Sequence, residues 1–131
     1  MLGIDTNVLV RFLTRDDAAQ FRRVRELLEA RFAEGDPVFV SVIVLCETVW
    51  VLRSAYRTPR REIVGALARL LGSSGLVIED RDQVAAAVEA YGRGPGDFAD
   101  YLLGERNRAA GCTSTATLDR RLKSAQAFRI V

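Results

Sequence analysis

Strand-like runs of only three or four residues recur along this chain, separated by stretches mostly long enough to form helices. They are Leu2–Ile4, Val38–Val40, Leu76–Ile78, Cys112–Thr115 and Phe128–Val131. Strands joined by helical crossovers pair in parallel, and the crossovers cover both faces of the sheet. The alternation therefore predicts an α/β fold, a three-layer sandwich in which a short five-stranded parallel sheet lies between helices. In such sheets ligands bind beyond the carboxyl ends of the strands. The residues that follow each run are where chemistry is to be sought.

The intervening stretches have helical periodicity. Asn7–Leu13 is short. A longer helix, capped by Asp16 or Asp17, runs to about Phe32, with Phe21, Val24, Leu27, Leu28 and Phe32 at helical spacing. Another spans Val42–Ala55. Thr58-Pro59 reads as a cap followed by proline at the first helical position, opening a helix with Ile63, Leu67, Leu70 and Leu71 on its inner face. Asp82–Tyr91 and Asp97–Ala110 complete the set, with Gly92–Gly96 as a loop between them and Gly111 as the stop. At 131 residues, with no internal repeat or long linker, residues 1–131 form one domain with a core of its own.

Histidine is absent, which removes Ser-His-Asp and Cys-His catalysis, His-containing zinc sites and imidazole acid–base chemistry. Cys46 and Cys112 are too few for a structural zinc site and read as free buried thiols. Carboxylates, hydroxyls, arginine, the single lysine Lys123 and a metal held by oxygen remain. A net charge of +2 does not argue for nucleic acid, although nearly all cations are arginines, which suit bidentate phosphate contacts. Nothing before Asp5 resembles a signal peptide, and the charge-poor Val38–Leu52 is too short to span a bilayer. A cytoplasmic protein with no membrane association is expected.

The carboxylates stand where the topology needs them. Asp5 is the only charge between Met1 and Val10 and follows the first strand; its structural alternative is a helix cap. Glu47 is the only charge between Val38 and Leu52, in a helix expected to bury most of its surface, where an unpaired carboxylate is costly. Asp97 and Asp100 project from one face at the start of a helix, where the dipole favours anions but the two repel one another. Asp119 follows the fourth strand and on its own could cap a short helix. Each has a dull explanation singly. Together they converge as Mg²⁺ or Mn²⁺ requires, and the matching reaction is metal-assisted phosphodiester hydrolysis.

Four motifs then resemble those of PIN-domain proteins, and in particular VapC-like toxins of bacterial toxin–antitoxin pairs. Leu2-Gly3-Ile4-Asp5-Thr6-Asn7 resembles the family's opening, and Ser41 with Glu47 its second motif. Asp97-Phe98-Ala99-Asp100-Tyr101-Leu102-Leu103 resembles the third, and Thr117-Leu118-Asp119-Arg120 the fourth. The resemblance implies a ribonuclease with Asp5, Glu47, Asp100 and Asp119 as catalytic acids. Asp5, Asp100, Asp97 and Asp119 would hold Mg²⁺ or Mn²⁺, with Asp97 auxiliary. Thr6, Asn7, Ser41 and Thr117 would orient carboxylates or water. Arg11, Arg15 and Arg120 are candidates for gripping RNA, within a rim that also includes Arg53, Arg57, Arg60, Arg61 and Arg121. A cognate antitoxin and a homodimer are the implied partners, docking on the runs Phe21–Phe32 and Ile63–Leu71, whose alternative use is ordinary core. Two departures stand out: Arg121 lies where many relatives carry a further acid, and Gly104-Glu105 replaces the usual Ala-Ala.

Two other readings compete. A receiver-type phosphoacceptor domain would need paired acids after the first strand and an acceptor aspartate after the third; here Asp5 stands alone and Glu79-Asp80 opens a helix. A catalytically inactive PIN-like binding module would have lost an acid, and none of the four is missing.

Overall fold

A computed structural model describes all 131 residues. The order is β1 (Leu2–Gly3), α1 (Thr6–Thr14), α2 (Ala18–Ala33), β2 (Val38–Val40), α3 (Val42–Ser54), α4 (Arg60–Leu71) and β3 (Leu76–Ile78). Then come α5 (Arg81–Arg93), α6 (Phe98–Ala109), β4 (Thr115–Thr117), a short 3₁₀ turn (Arg120–Leu122) and β5 (Phe128–Ile130). All strand pairs are parallel, as the alternation predicts. The five strands form two ladders, β1-β2-β3 and β4-β5, with no hydrogen-bonded ladder joining them. Strands of two or three residues offer few backbone groups to extend a ladder further, so packing of the helices carries the assembly.

That packing is apolar and continuous. Leu45, Val49 and Leu52 of α3, Ile63 and Leu67 of α4, Val84, Val88 and Tyr91 of α5, and Phe98 and Leu102 of α6 belong to one buried cluster with Val40 and Ile78 of the sheet. Burial of each large side chain contributes about 1.5–3 kcal/mol. Phe98 meets Tyr91 edge to face at 6.0 Å and directly follows Asp97, so the core fixes where α6 begins. Phe98→Ala would cost about 3–5 kcal/mol and loosen that start.

Local chemistry sets the helix ends. Asp17, rather than Asp16, caps α2, accepting from the Gln20 amide at 2.9 Å. Pro59 is itself the cap residue of α4, one position earlier than the expected first helical turn, because its extended backbone (φ −60°, ψ 147°) precedes the helix. The fourth strand is Thr115–Thr117 and not Cys112–Thr115, since the backbone of Ala127 accepts from the Thr115 amide at 2.8 Å and pairing with β5 begins there. Gly111 (φ +102°) turns the chain out of α6 before that strand. Gly104 is buried, and a Cβ on it would come within 2.9 Å of the Phe128 ring, so this departure lets α6 lie close against β5.

The run Ile63–Leu71 is core: Ile63, Leu67 and Leu70 are buried. The run Phe21–Phe32 is divided, with Leu28 buried and Leu27 and Phe32 partly open. Beside it, Phe12, Leu28, Phe32, Ala66 and Leu70 line an apolar cleft of ≈ 340 Å³. No helix is long and apolar enough to cross a membrane.

Candidate active site

Within each parallel ladder the strands deliver their carboxyl ends to one edge, and Asp5, Ser41, Glu79 and Asp119 lie within two residues of those ends. Asp5 leaves β1 and caps α1, accepting from the Val8 amide at 3.0 Å through Oδ1. The capping role foreseen for it is real, but a carboxylate has a second oxygen and Asp5 is exposed. Ser41 leaves β2 and caps α3 by accepting from the Val44 amide at 3.2 Å. Glu79, just after β3, reaches across to the same helix and accepts from the Val42 amide at 2.9 Å. Ser41 thus orients the helix that carries Glu47 rather than a carboxylate directly.

Glu47 corrects an expectation. It is exposed, not buried, because α3 turns its Ile43-Glu47-Trp50 stripe outward while Leu45, Val49 and Leu52 face the core. Ile43 and Trp50 are 68% and 70% exposed, so the apolar character of the segment did not report which face was inside. Glu47 therefore needs no buried counter-ion and is free to meet water and substrate.

The remaining acids converge on a cation from the same chain. Arg121 donates from Nε to both oxygens of Asp119 at 3.1 Å and from Nη2 to Asp119 Oδ2 at 2.7 Å. The same Nη2 lies 3.5 Å from Asp97 Oδ2 and 3.9 Å from Asp100 Oδ2. Arg53 approaches Asp97 from α3 at 3.9 Å. Asp100 Oδ2 also accepts from the Asp97 backbone amide at 3.2 Å, which binds the two acids into one helix start. Asp100 is the more sheltered of the two, its side chain 32% exposed against 55% for Asp97.

Gly96 holds this start in place. Its amide donates to the Tyr101 hydroxyl at 3.0 Å, and a Cβ would strike Leu122 at 2.5 Å. Arg60 clasps the same loop, donating to the carbonyls of Tyr91 and Gly96 at 2.9 and 2.8 Å while lying over the Tyr91 ring. On the other side, Thr117 Oγ1 accepts from the Asp119 amide at 3.0 Å and the Arg121 amide donates to Asp119 Oδ1 at 3.0 Å. Thr117 thus ties down the backbone at Asp119. Thr6 opens α1 and Asn7 is exposed beside it, neither hydrogen-bonded through its side chain to these acids.

Electrostatics follow the geometry. Hydrogen bonds from Arg121, first its side chain and then its amide, hold the Asp119 carboxyl below the usual carboxylate range, and the pairing raises Arg121 in turn. Burial pushes the Cys46 thiol up, so it stays protonated at neutral pH and is no nucleophile. Cys112 is exposed, not buried, and both thiols are free.

A divalent metal fits this donor set. The acids supply only hard oxygen ligands, the kind Mg²⁺ and Mn²⁺ take. A cationic nitrogen already stands among three of them. No group of three acids is close enough to clasp an ion as placed. Reaching metal–oxygen distances of about 2.1 Å from Arg121 Nη2's position would draw those oxygens inward by about 0.6 to 1.8 Å, least for Asp119 and most for Asp100. Asp97, Asp100 and Asp119 are brought together around Arg121; Asp5 caps α1 and Glu47 sits on α3, two helices that pack on each other.

The arginines divide. Arg11 is committed inside the fold, to Gln20, Asp16 and Tyr56. Arg15 is exposed over the Phe21 ring, and Arg120 is exposed next to Asp119. Two residues deserve more than their sequence reading gave. The sequence presents Arg121 as a rim cation and a departure from the family pattern, although its place two residues after Asp119 in a tight turn puts it within reach of that acid. Glu79 was assigned to the next helix, although it follows a strand as Asp5 and Asp119 do.

A family model for the PIN domain matches residues 3–127. A VapC ribonuclease from Aquifex aeolicus (strain VF5) is 24% identical over 120 residues, which cover 92% of this chain and 88% of that protein. The topology, the acids near the strand ends and a match across nearly the whole length agree: the chain belongs to the PIN domain family.

Proposed function

We propose that this protein is a Mg²⁺- or Mn²⁺-dependent endoribonuclease and the toxin of a toxin–antitoxin pair. One observation carries the reading: in a PIN domain, Asp97, Asp100 and Asp119 gather around a single cationic nitrogen at the edge where the strands end. The similarity to a VapC ribonuclease supports RNA as the substrate.

Asp5 and Asp100 are the principal metal-holding residues, helped by Asp97 or Asp119. When bound, the ion supplies Lewis-acid chemistry, acidifying water and offsetting charge on the phosphate. Glu47, exposed at the rim, orients the attacking water and takes its proton. Thr117 keeps Asp119 in place. Arg15 and Arg120, which are exposed, contact the RNA backbone; Arg11 supports them by ordering the α1–α2 turn. Hydrolysis by water needs no 2′-hydroxyl nucleophile, so the products carry 5′-phosphate and 3′-hydroxyl ends. An antitoxin helix lies in the apolar cleft at Phe12, Leu28 and Phe32, and the protein works as a homodimer in the cytoplasm.

A defined RNA incubated with the purified protein and Mn²⁺ tests the chemistry. Fragments with 5′-phosphates support it, and 2′,3′-cyclic phosphate ends would exclude it. The presence of Arg121 among the acids favours one rival, an inactive PIN-like scaffold. That rival predicts no cleavage at any metal concentration.

A further inference from the structure

We propose that Arg121 is a resident counter-ion occupying the cation position among Asp97, Asp100 and Asp119, so that metal loading requires its guanidinium to leave. The inference rests on the metal-dependent reading above and adds a competitor built into the chain.

Geometry points to displacement rather than to a fixed structural bridge. Arg121's side chain is half exposed, so it can swing into water with little loss of packing. Ion pairs at such exposure are weak, and a divalent ion with several carboxylate ligands outcompetes one guanidinium. The turn that carries Arg121 does not depend on that side chain, because the Arg121 backbone amide donates to Asp119 Oδ1 and the Leu122 amide to the Asp119 carbonyl. A guanidinium is never deprotonated in proteins, so it competes at every pH. Its fork engages Asp119 in three bonds and only grazes Asp97 and Asp100. Asp119 is therefore the acid most withheld from a metal, and Asp100 the least.

Arg53 is the comparison within the molecule. It reaches Asp97 alone, at 3.9 Å, and from outside the trio. If proximity to charge were sufficient, Arg53 and Arg121 would matter alike. If occupancy of the cation position matters, Arg121 alone sets the affinity.

A competitor in place for nine-tenths of the time weakens the apparent metal affinity about tenfold. Calorimetric titration of Mn²⁺ into the full chain, without RNA, reads this directly. Arg121→Gln is expected to bind about tenfold more tightly than wild type, Arg121→Lys to fall between, and Arg53→Gln to stay close to wild type. Without metal, Arg121→Gln melts at a lower temperature, and Mn²⁺ raises its melting temperature by more than it raises that of wild type. Equal or weaker Mn²⁺ binding by Arg121→Gln, with binding lost in Asp100→Asn, would overturn the Arg121 inference and leave the metal site standing. Unchanged binding in Asp100→Asn would remove the metal site itself. If Arg121→Gln does not fold, Arg121→Lys decides, and wild-type affinity there overturns the inference.

Discussion

Asp16 and Asp36 are used differently from Asp97, Asp100 and Asp119, although all are aspartates near the surface. Asp36, just ahead of β2, has two cations of its own, the Met1 ammonium at 2.8 Å and Arg31 at 3.0 Å. Asp16, in the turn between α1 and α2, accepts from the Tyr56 hydroxyl at 2.6 Å and the Thr14 hydroxyl at 2.9 Å, with Arg11 at 3.2 Å. These charges are balanced by the fold. At the carboxyl edge, three acids share Arg121, and only Asp97 has a second, distant arginine. A fold that leaves acids undercompensated at one edge has kept capacity for a cation from outside. Balanced carboxylates hold the structure; unbalanced ones are available for chemistry.

The sharpest way to break this contrast is to neutralise acids of each kind. Glu47→Gln and Asp100→Asn are expected to lower RNA cleavage by about 10²–10⁴-fold, the range for loss of a general base, with circular dichroism unchanged. Asp16→Asn and Asp36→Asn are expected to leave cleavage intact and to lower the melting temperature. A large loss of cleavage in Asp36→Asn would erase the distinction between the two regions.

Acid titration sharpens the comparison less steeply, because Arg121 holds Asp119 low as well. The Tyr56 and Thr14 hydroxyls lower Asp16, and the Met1 ammonium and Arg31 lower Asp36, both below the ordinary carboxylate value. A depressed carboxylate contributes stability above its unfolded pKa and loses it as pH falls through the folded one. Thermal stability should therefore hold down to about pH 4, the ordinary Asp range, and decline below it. Asp16→Asn and Asp36→Asn should each flatten that decline, as melting curves across the acid range would show.

Much of this arrangement is legible in the sequence, and the gaps have physical causes. Asp5 stood out because it is the only charge in an apolar opening. Asp97 and Asp100 stood out because helical spacing puts them on one face. The exposure of Glu47 was not legible, because Ile43 and Trp50 are apolar and the rotation of α3 is decided by its neighbours. Strand β4 was misplaced because Cys112-Thr113-Ser114-Thr115-Ala116-Thr117 has no apolar period, and pairing with Phe128–Ile130 selects its register. Arg120 and Arg121 are interchangeable on paper. The 3₁₀ turn alone sends Arg121 into the acids and leaves Arg120 in solvent.

Smaller effects sharpen the picture further. Asp97→Asn, with Arg53 and Arg121 both nearby, is expected to reduce cleavage less than Asp100→Asn and to leave the metal-free melting temperature unchanged or higher. Equal severity would reverse the ranking of the two acids. Arg15→Gln and Arg120→Gln are expected to weaken RNA binding a few-fold, each lowering the salt dependence by about one phosphate contact. Arg11→Gln is expected instead to lower the melting temperature, because Arg11 ties Gln20, Asp16 and Tyr56 together.

The central claim, that the undercompensated acids form a metal-dependent nuclease centre, is tested most directly by removing and restoring the metal. Purified protein is treated with EDTA, assayed on RNA, and assayed again after Mn²⁺ is added in excess. The account predicts that cleavage disappears in chelator and returns with Mn²⁺ in the wild type but not in Asp100→Asn. Undiminished cleavage in EDTA by protein free of contaminating nuclease, or full recovery in Asp100→Asn, would contradict it.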